Sequence, residues 1–504
     1  MALIPLPEDA AFPEYYWMAV TACVFGFFMS FGIGANDVGN CFATSVAAKS
    51  LTLIQAVWVA AIFEFAGAAL LGASVTKTIR SGILDMDVYQ GEQEVLAFGM
   101  LVALVNASFW LILATAYGLP VSTTHTIIAA IVGFSLAAKG WDSIMWGSCS
   151  KIFISWIAAP AVTGIIGFIF FYLIRTFVLK SASPFDRSAM TYSLTIFITL
   201  TINIFFVLHK GLKKFKIDTG IKLGIAFGVS FILALIFQFG IVGWLKRRII
   251  TAEEREEKKK EDAVEQPVEN EGKEETKKSA MKAAFTRLAD ATYNRDLERE
   301  SLNFDKDAAD IWEKAEVYDA KAEQLYSYLQ VFTACALSFA HGSNDVANAV
   351  APICAILAIY EQGILSAKAP VPQWVLVMGA IGIVVGLFCF GYKVIISIGF
   401  RLTKLSPSRG FCIQLSTCLV VVTASYIGLP VSTTQSTIGG TIGVGAVEGV
   451  EGVQWWFMAK VFFGWIVTFF VTCISSAGIM AFCYFSPGYG DSAAMIVNAT
   501  AVVA

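Results

Sequence analysis

Two aspartates lie within long apolar stretches of the sequence, where a charged side chain is costly and seldom kept without a role. Asp37 stands in GIGANDVGN and Asp345 in AHGSNDVANA, and each directly follows an asparagine, Asn36 or Asn344. Carboxylate and amide oxygens are the ligands that hard cations prefer. The pattern therefore predicts a cation site. The alternative interpretation is that each aspartate caps the start of a helix.

Glycines beside both aspartates weaken the continuity of a helix. Gly32 and Gly34 precede the first aspartate, and Gly342 precedes the second. A helix broken at these points would expose backbone carbonyl oxygens beside the carboxylate. Asn40 and Asn348 follow one helical turn beyond the acids, so we expect their amide oxygens to join the cation site.

A second motif, GLPVSTT, carries the groups that suit an anion, and it occurs at residues 118–124 and 428–434. Proline is favoured near a helix start, where Ser or Thr caps the free backbone N–H groups. A helix N-terminus inside the membrane presents N–H donors and positive dipole charge to an anion such as phosphate. The hydroxyls predicted to add donors are those of Ser122, Thr123, Thr124, Ser432, Thr433 and Thr434. The alternative is that they bond to carbonyls of their own helix.

Four further polar side chains stand in apolar sequence, namely His125, His341, Glu64 and Gln414. Either histidine can sense pH or donate to a phosphate, and either can equally be a packing residue. Glu64 has no evident basic neighbour in sequence. We therefore expect it to face a cavity or the other half of the chain, and to be protonated at some stage of the cycle.

The motifs recur as pairs at nearly one separation, which divides the chain into two related halves. Equivalent positions are 308 residues apart for Asp37 and Asp345, 310 for Pro120 and Pro430, and 309 for Lys151 and Lys460. Three pairs in the same order exclude coincidence. We expect the two lysines to extend to the membrane interface rather than to pair with the buried acids.

Composition places these motifs in a membrane protein. Hydrophobic residues form 57% of the 504 positions and charged residues only 15%, whereas about a quarter of a soluble chain is charged. The net charge of −3 gives no reason to expect a nucleic-acid partner. No set of nucleophile and base, and no Cys/His cluster, suggests an enzyme, a bound metal or a cofactor.

Apolar runs of the length that crosses a bilayer, about 20 residues, define the fold class. We predict an all-α polytopic membrane protein of about 12 transmembrane segments, two of them the polar-studded stretches 119–138 and 430–449. Seven crossings separate the two aspartate motifs. Because seven is odd, the halves have opposite orientations and form an inverted repeat with broken or hairpin helices at the midplane, a design typical of secondary transporters.

A long charged block separates the halves, and its basic start, Lys246 to Arg248, places it in the cytosol by the positive-inside rule. Both termini are then outside. Residues 252–278 are of low complexity and predicted to be disordered, while 280–324 can form surface helices. The predicted divisions are a segment 1–16, a first repeat 17–180, linking helices 181–245, a charged loop 246–324, a second repeat 325–486 and a tail 487–504.

At the paired motifs the chain resembles the inorganic phosphate transporter (PiT) family of sodium- or proton-coupled symporters. The resemblance covers roughly residues 17–245 and 325–486. It implies phosphate uptake across the plasma membrane, a cytosolic central loop and a homodimer. It also implies that Asp37 and Asp345, with their asparagine neighbours, bind the cation and help to place phosphate. By the same resemblance, the Ser-Thr-Thr triplets contact phosphate and sodium, and Glu64 matches a glutamate that the animal members need.

Two positions depart from the family pattern. Gln435 follows the second triplet where animal members carry His, and Gln414 stands where many members have Glu. We assign Gln435 to the cation site, whereas the missing carboxylate at Gln414 leaves the coupling ion open. The sequence thus predicts a symporter in the lipid bilayer that imports phosphate by alternating access. Sodium is the predicted coupling ion, and protons are the alternative.

Three alternatives stand beside this prediction. The first is coupling to protons instead of sodium. The second is the same fold carrying another tetrahedral oxyanion such as sulfate, since hydroxyl and N–H donors do not separate the two anions. The third is a channel or a receptor, against which the inverted duplication argues, because alternating access uses that symmetry directly.

Overall fold

A computed structural model describes residues 10–211, 217–265, 305–365 and 371–486. Regular structure in these residues is helical, apart from one isolated β-bridge between Leu84 and Ile144. The predicted all-α class is therefore confirmed. The tail 487–504, most of the segment 1–16 and the candidate surface helices near Met281 lie outside the described residues.

The first half of the described chain contains seven α-helices. They are α1 (Tyr16–Asn36), α2 (Val38–Ala47), α3 (Leu53–Leu71), α4 (Ala73–Ser81), α5 (Gln93–Ala116), α6 (Thr123–Lys139) and α7 (Trp146–Ile174). A π-helical turn, Arg175–Leu179, continues α7. Linking helices follow as α8 (Pro184–Gly211), α9 (Thr219–Ile236) and α10 (Gly243–Glu265), with a second π-helical turn, Phe237–Val242, between the last two.

From residue 305 onward, six more helices are described, the first of them within the charged block. They are α11 (Lys306–Lys314), α12 (Ala320–Gln362), α13 (Gln373–Arg401), α14 (Pro407–Ile427), α15 (Thr433–Ala446) and α16 (Trp455–Tyr484). Within the described residues, 10 helical spans are long and apolar enough to cross a membrane: α1–α2, α3, α5, α7, α8, α9–α10, α12, α13, α14 and α16.

The remaining two predicted segments are short helices preceded by extended chain. Helices α6 and α15 have 17 and 14 residues, or about 25 and 21 Å at 1.5 Å per residue, against a hydrocarbon core of about 30 Å. The Leu-Pro-Val sequence before each helix follows a glycine of positive φ, Gly118 at 66° and Gly428 at 75°. These turns place both helix starts inside the protein.

The two halves pack on each other reciprocally, and glycines mark the crossings. A Cβ on Gly34 of α1 would lie 1.8 Å from the carbonyl oxygen of Ile383 on α13, and one on Gly342 of α12 would lie 2.3 Å from that of Glu64 on α3. Gly34 and Gly342 are equivalent in the repeat. The first membrane span of each half, α1 or α12, therefore packs against the second span of the other half, α13 or α3. The backbones meet there at a contact that only glycine permits.

A second reciprocal pair joins the ends of the halves. A Cβ on Gly133 of α6 would lie 2.1 Å from the carbonyl oxygen of Cys473 on α16, and one on Gly443 of α15 would lie 2.0 Å from that of Gly164 on α7. The two short helices are thus each held by the long helix of the opposite half. The repeat inferred from sequence is a repeat in three dimensions.

One expectation about helix continuity is wrong. The HGSNDVAN sequence does not break its helix: α12 runs without interruption over 43 residues. In the first copy α1 and α2 meet at Asp37, which keeps helical dihedrals and an N–H bond to Ile33 O of 2.8 Å. Inside an apolar bundle the helical backbone bonds have no competitor, so the glycines serve close packing instead of a break.

The charged block is more ordered at its edges than predicted. Helix α10 continues to Glu265, so the expectation of disorder from residue 252 is wrong over this part, where Glu, Lys and Arg are good helix formers. After the gap, Glu316 bonds to Arg175 Nε at 2.8 Å and to Lys180 Nζ at 2.8 Å. Arg409 pairs with Glu448 and donates to Glu316 O, which fastens the returning chain to both halves.

Candidate functional site

The two aspartates lie in the centre of the protein and each is bonded to the short helix of its own half. Thr123 Oγ1 at the start of α6 donates to Asp37 Oδ2 at 2.5 Å, and Thr433 Oγ1 at the start of α15 donates to Asp345 Oδ2 at 2.8 Å. All four residues are buried. The aspartate motif and the Ser-Thr-Thr motif of each half therefore form one unit. Their order in the sequence alone did not predict this contact.

Further hydrogen bonds join the two units across the repeat. Thr434 Oγ1 donates to Asp37 Oδ1 at 2.9 Å and accepts from Asn40 Nδ2 at 2.7 Å. In the reverse direction, Asn348 Nδ2 donates to Thr123 Oγ1 at 3.1 Å and lies 3.4 Å from Thr124 Oγ1. The motifs that are more than 300 residues apart in sequence thus share one buried site.

Asn36 and Asn344 hold the extended segments in place. Asn36 accepts from Val121 N at 3.0 Å and donates to Thr115 Oγ1 and to Leu119 O, each at 2.9 Å. Asn344 accepts from Ser425 Oγ at 3.2 Å and donates to the carbonyl of Val431 at 3.2 Å. Both amide oxygens are engaged by the protein, so these residues position the site.

Asn40 differs from them because its Oδ1 is buried with no hydrogen-bond partner among the described residues. An amide oxygen in that condition costs free energy unless it gains a partner. The Nδ2 of the same side chain donates to Thr434 Oγ1, and Asn40 lies one helical turn from Asp37. Of the four asparagines in the two motifs, Asn40 best retains the cation-ligand role expected from the sequence.

A single histidine stands among three buried carboxylates. His341 Nδ1 lies 2.8 Å from Glu64 Oε2, and His341 Nε2 lies 2.8 Å from Asp345 Oδ2. Ligand atoms of Asp37, His341 and Asp345 all fall within 4.8 Å of one another. Ser338 Oγ donates to Glu64 Oε1 at 2.9 Å. Glu64 therefore faces the other half, as expected. Its partner is His341, which is distant in sequence.

The charge of this cluster is unbalanced. When all three carboxylates are ionised, their negative charge exceeds that of one protonated imidazole, and buried charges persist only when they are compensated. The arrangement consequently favours the uptake of a cation or of protons between the two aspartates.

The capping interpretation fails for the aspartates and holds for the serines. Asp37 makes no side-chain cap bond to the backbone of α2, and Asp345 lies inside α12. Ser122 Oγ accepts from His125 N and Ser432 Oγ from Gln435 N, each at 3.2 Å. The serines are thus N-caps of the short helices.

The other hydroxyls next to the caps divide between two kinds of partner. Thr126 and Ser436, one turn further along, donate to the carbonyls of their own helices. The threonines of the triplets instead point into the site, where Thr123, Thr433 and Thr434 donate to carboxylates. Thr124 reaches across to the carbonyl of Val431 at 3.5 Å. The alternative of bonding to the helix's own carbonyls therefore applies beyond the triplets.

His125 and Gln435 are equivalent in the repeat and face each other. Their Nε2 atoms lie 3.4 Å apart, so the symmetry axis of the two halves passes between them. The His125 ring packs on Trp156 with centroids 3.6 Å apart. Both side chains lie beside the acidic cluster rather than in it.

Gln414 is held in a neutral cage. Its Oε1 accepts from Thr333 Oγ1 at 2.7 Å, and its Nε2 lies 3.0 Å from Cys41 O, 2.9 Å from Thr44 Oγ1 and 2.8 Å from Ser45 Oγ. All of these residues are buried. The cage lies along α2, which begins at the first aspartate.

Several polar residues of the site were missed in the sequence. Their signal was recurrence at the repeat spacing: Ser338 is the counterpart of Ser30, and Ser425 is the counterpart of Thr115. Lys151 and Lys460 are exposed, in agreement with the expectation that they do not pair with the buried acids.

A bundle of membrane-spanning helices in two inverted halves, with an acidic site and two helix starts where the halves meet, defines a membrane transport protein. The sequence pattern of the Phosphate transporter family matches residues 33–476. The chain belongs to this family, and the recognition made from the paired motifs is confirmed. The related proteins are permeases and transporters, which also confirms the prediction that the chain is not an enzyme.

Similar proteins cover almost the whole chain. A putative phosphate permease of Haemophilus influenzae is 34% identical over 90% of this chain and 93% of its own length. A phosphate-repressible phosphate permease of Neurospora crassa is 29% identical over 95% and 99%. A solved structure described as the sodium-dependent phosphate transporter has a TM-score of 0.74 and 29% identity, and the match covers 93% of this chain and 100% of that one.

Proposed function

We propose that this protein is a symporter that moves inorganic phosphate across the membrane with sodium, by alternating access. The observation that carries the proposal is the reciprocal site, in which Asp37 bonds to threonines of both halves. A site built at the contact of two inverted halves opens to opposite sides of the membrane when the halves exchange conformations.

The cation is held by oxygen ligands of both motifs. Asp37 and Asp345 supply the charge, and the unpartnered Oδ1 of Asn40 supplies a neutral ligand. Threonine hydroxyls beside the carboxylates complete the set. Such oxygens suit Na⁺ as a hard cation.

Phosphate binds at the capped starts of α6 and α15, where backbone N–H groups and the helix dipole favour an anion. The threonine hydroxyls that donate to the carboxylates turn to phosphate when a cation takes their place on Asp37 and Asp345. Phosphate and bare carboxylates repel each other, so each ligand improves the site for the other. This coupling free energy is what a symporter requires.

Proton coupling is the second candidate, and one observation favours it. His341 lies between Glu64 and Asp345, with 2.8 Å between each pair of facing atoms, and its Nδ1 is hydrogen-bonded to Glu64. Such an arrangement can carry a proton between the carboxylates without sodium. The neutral Gln414 cage, which lacks a carboxylate, adds no further cation charge and fits either coupling ion.

Transport of sulfate by the same site is a third candidate, which the names of the related permeases make less favoured. We further propose that the protein lies in the plasma membrane as a homodimer, with both termini outside and the charged block 246–324 in the cytosol. These placements rest on the charge pattern of the sequence and on the family resemblance.

The test is uptake of radiolabelled phosphate into proteoliposomes, with sodium and proton gradients imposed separately. We expect uptake against a gradient when sodium is high outside, and none when sodium is replaced by potassium. Uptake that follows only the pH gradient would transfer the assignment to protons. Labelled sulfate in the same vesicles should not be accumulated, and equal accumulation of both anions would contradict phosphate as the substrate.

A further inference from the structure

A cavity of about 530 Å³ lies against the extended segment that leads into α6. We call it the loop-side cavity, because its wall includes Lys306 at the start of α11, within the charged block 246–324. Leu119, Pro120 and Val121 form another part of the wall, and Ser397 and Arg401 at the end of α13 a third. The cavity therefore reaches from the side of the charged block to within one residue of Ser122.

The charged groups of the loop-side cavity are three cations and two carboxylates. Lys306, Arg401 and Lys460 are basic, and Asp305 and Asp307 are acidic. Asp305 is committed to the protein, since its Oδ1 accepts from Ala308 N at 3.1 Å and from Gln454 Nε2 at 3.0 Å. The balance leaves cationic groups available to a ligand.

Two polar atoms on the cavity wall are buried without a partner among the described residues, Arg401 Nε and Gln454 Oε1. Gln454 is only 7% exposed. A buried guanidinium N–H without an acceptor suits an oxyanion. A buried amide oxygen on the wall of the same cavity suits an oxyanion that carries a hydroxyl. Hydrogen phosphate has both features, whereas sulfate carries no proton near neutral pH.

The two sides of the protein differ at this place. The reciprocal glycine crossings make Glu64 on α3 equivalent to Ile383 on α13, a separation of 319 residues. On that alignment Thr78 is the counterpart of Ser397. Ser397 lines the loop-side cavity, while Thr78 donates to the carbonyl of Gly428 at 2.8 Å and so holds the other extended segment. On the same alignment of α3 and α4 with α13, the counterpart of Arg401 is Gly82, which has no side chain. The extra cation is thus present on one side of the repeat only.

We propose that the loop-side cavity is a second phosphate site, which takes phosphate between the central site and the solution on the side of the charged block. Arg401 binds the anion, and Gln454 Oε1 accepts its O–H and distinguishes it from sulfate. The inference rests on the proposed function, because it assigns to the same substrate a second station on one route.

A lipid phosphate could reach the same basic side chains, since Lys460 lies 5.2 Å from the ring of Trp456 on an exposed surface of α16. Free phosphate is favoured because the wall of the cavity continues to Pro120 and Val121, next to the helix cap of the central site. A headgroup tethered to its acyl chains has no reason to extend there.

Equilibrium binding of radiolabelled inorganic phosphate to the full-length protein tests this. In nanodiscs of neutral phosphatidylcholine we expect two classes of site in the wild type. Arg401→Gln should weaken one class by on the order of tenfold or more, while Arg401→Lys retains it in part. The matched control is Lys151→Gln, an exposed basic residue equivalent to Lys460 in the other half, which should leave both classes unchanged.

The outcomes separate the two proposals. Absence of any phosphate binding to the wild type would overturn the proposed function itself. A single class that Arg401→Gln does not alter would overturn the second site and leave the first intact. Loss of the Arg401-dependent class when anionic phosphatidylglycerol is added would assign the cavity to a lipid headgroup and contradict the inference.

Competition with sulfate tests the role of Gln454. Sulfate should displace phosphate poorly from the Arg401-dependent class in the wild type. In Gln454→Met, which removes the acceptor at similar volume, phosphate should lose its advantage and the two anions should compete equally. An unchanged preference would remove Gln454 from the site.

Discussion

Replacement of Asp37 by asparagine is the most direct test of the charge logic of the site. The substitution keeps the shape of the side chain but leaves one acceptor oxygen, so it can still accept from only one of Thr123 and Thr434, which donate to the two oxygens of Asp37 at 2.5 and 2.9 Å. It removes one of the three carboxylates that surround His341. The substitution should therefore weaken cation binding and have little effect on packing.

The size of the effect follows from the geometry. Ligand atoms of Asp37, His341 and Asp345 lie within 4.8 Å of one another, so a bound cation is less than about 4 Å from the Asp37 charge. At an effective dielectric constant of about 20, one such interaction is worth roughly 4 kcal/mol. Since about 1.4 kcal/mol is a factor of ten, affinity for the coupling cation should fall roughly a thousandfold.

The assay is phosphate uptake by proteoliposomes as a function of external sodium, with melting temperature as the check on folding. Asp37→Asn should lose uptake at sodium concentrations that saturate the wild type. Its melting temperature should change little, because removal of a buried charge offsets the one threonine hydrogen bond that the amide cannot accept. Asp142→Asn, at an exposed loop position, is the matched control. Uptake by Asp37→Asn with unaltered sodium dependence would refute the reasoning.

Three further predictions follow from the contacts of the site and of the returning chain. His341→Gln should abolish any uptake that follows a pH gradient while sodium-driven uptake falls less, and equal loss of both would argue against a proton path. Ser122→Ala with Ser432→Ala should raise the apparent phosphate KM, and unchanged kinetics would limit the two serines to capping. Glu316→Gln should lower stability at pH 7 by about 0.5–1 kcal/mol, measured by thermal melting. Arg175 depresses the pKa of Glu316, so this contribution is present above the unfolded pKa of about 4.3. The difference should vanish as pH falls through the folded pKa, and a difference that persists in acid would exclude the ion pair as its origin.

The sequence was sufficient to predict the parts of the site that repeat. Asp37 and Asp345, with the hydroxyls that follow Pro120 and Pro430, recur at nearly one spacing, and a repeat spacing survives folding because the same local sequence forms the same local structure. The membrane also limited the choices, since an apolar run in a bilayer is a helix. These two constraints predicted the fold class and the convergence of the motifs.

The contact between Glu64 and His341 could not be predicted in the same way. It depends on how α3 and α12 are aligned, and that alignment is set where Gly342 lets the backbone of Glu64 approach closely. The reciprocal glycine crossings make Ile383 the counterpart of Glu64, and the separation of 308 residues makes Ile33 the counterpart of His341. No repeat signal therefore marked either residue. Helix continuity at Asp345 was also mispredicted, because glycine propensity in water does not measure close packing in an apolar bundle.

The halves agree where they pack and differ where they carry charge. Gly34 and Gly342 occupy equivalent crossings, and the Thr–Asp bonds are reciprocal. Yet the positions equivalent to His341 and Glu64 in the other half are both occupied by isoleucine. Equivalent packing lets the halves exchange conformations at little cost, which alternating access needs. Unequal charge gives one half a buried acid and base pair that the other half lacks. The identity of the coupling ion is therefore best sought at His341 and Glu64, where the repeat is broken, rather than at the paired motifs.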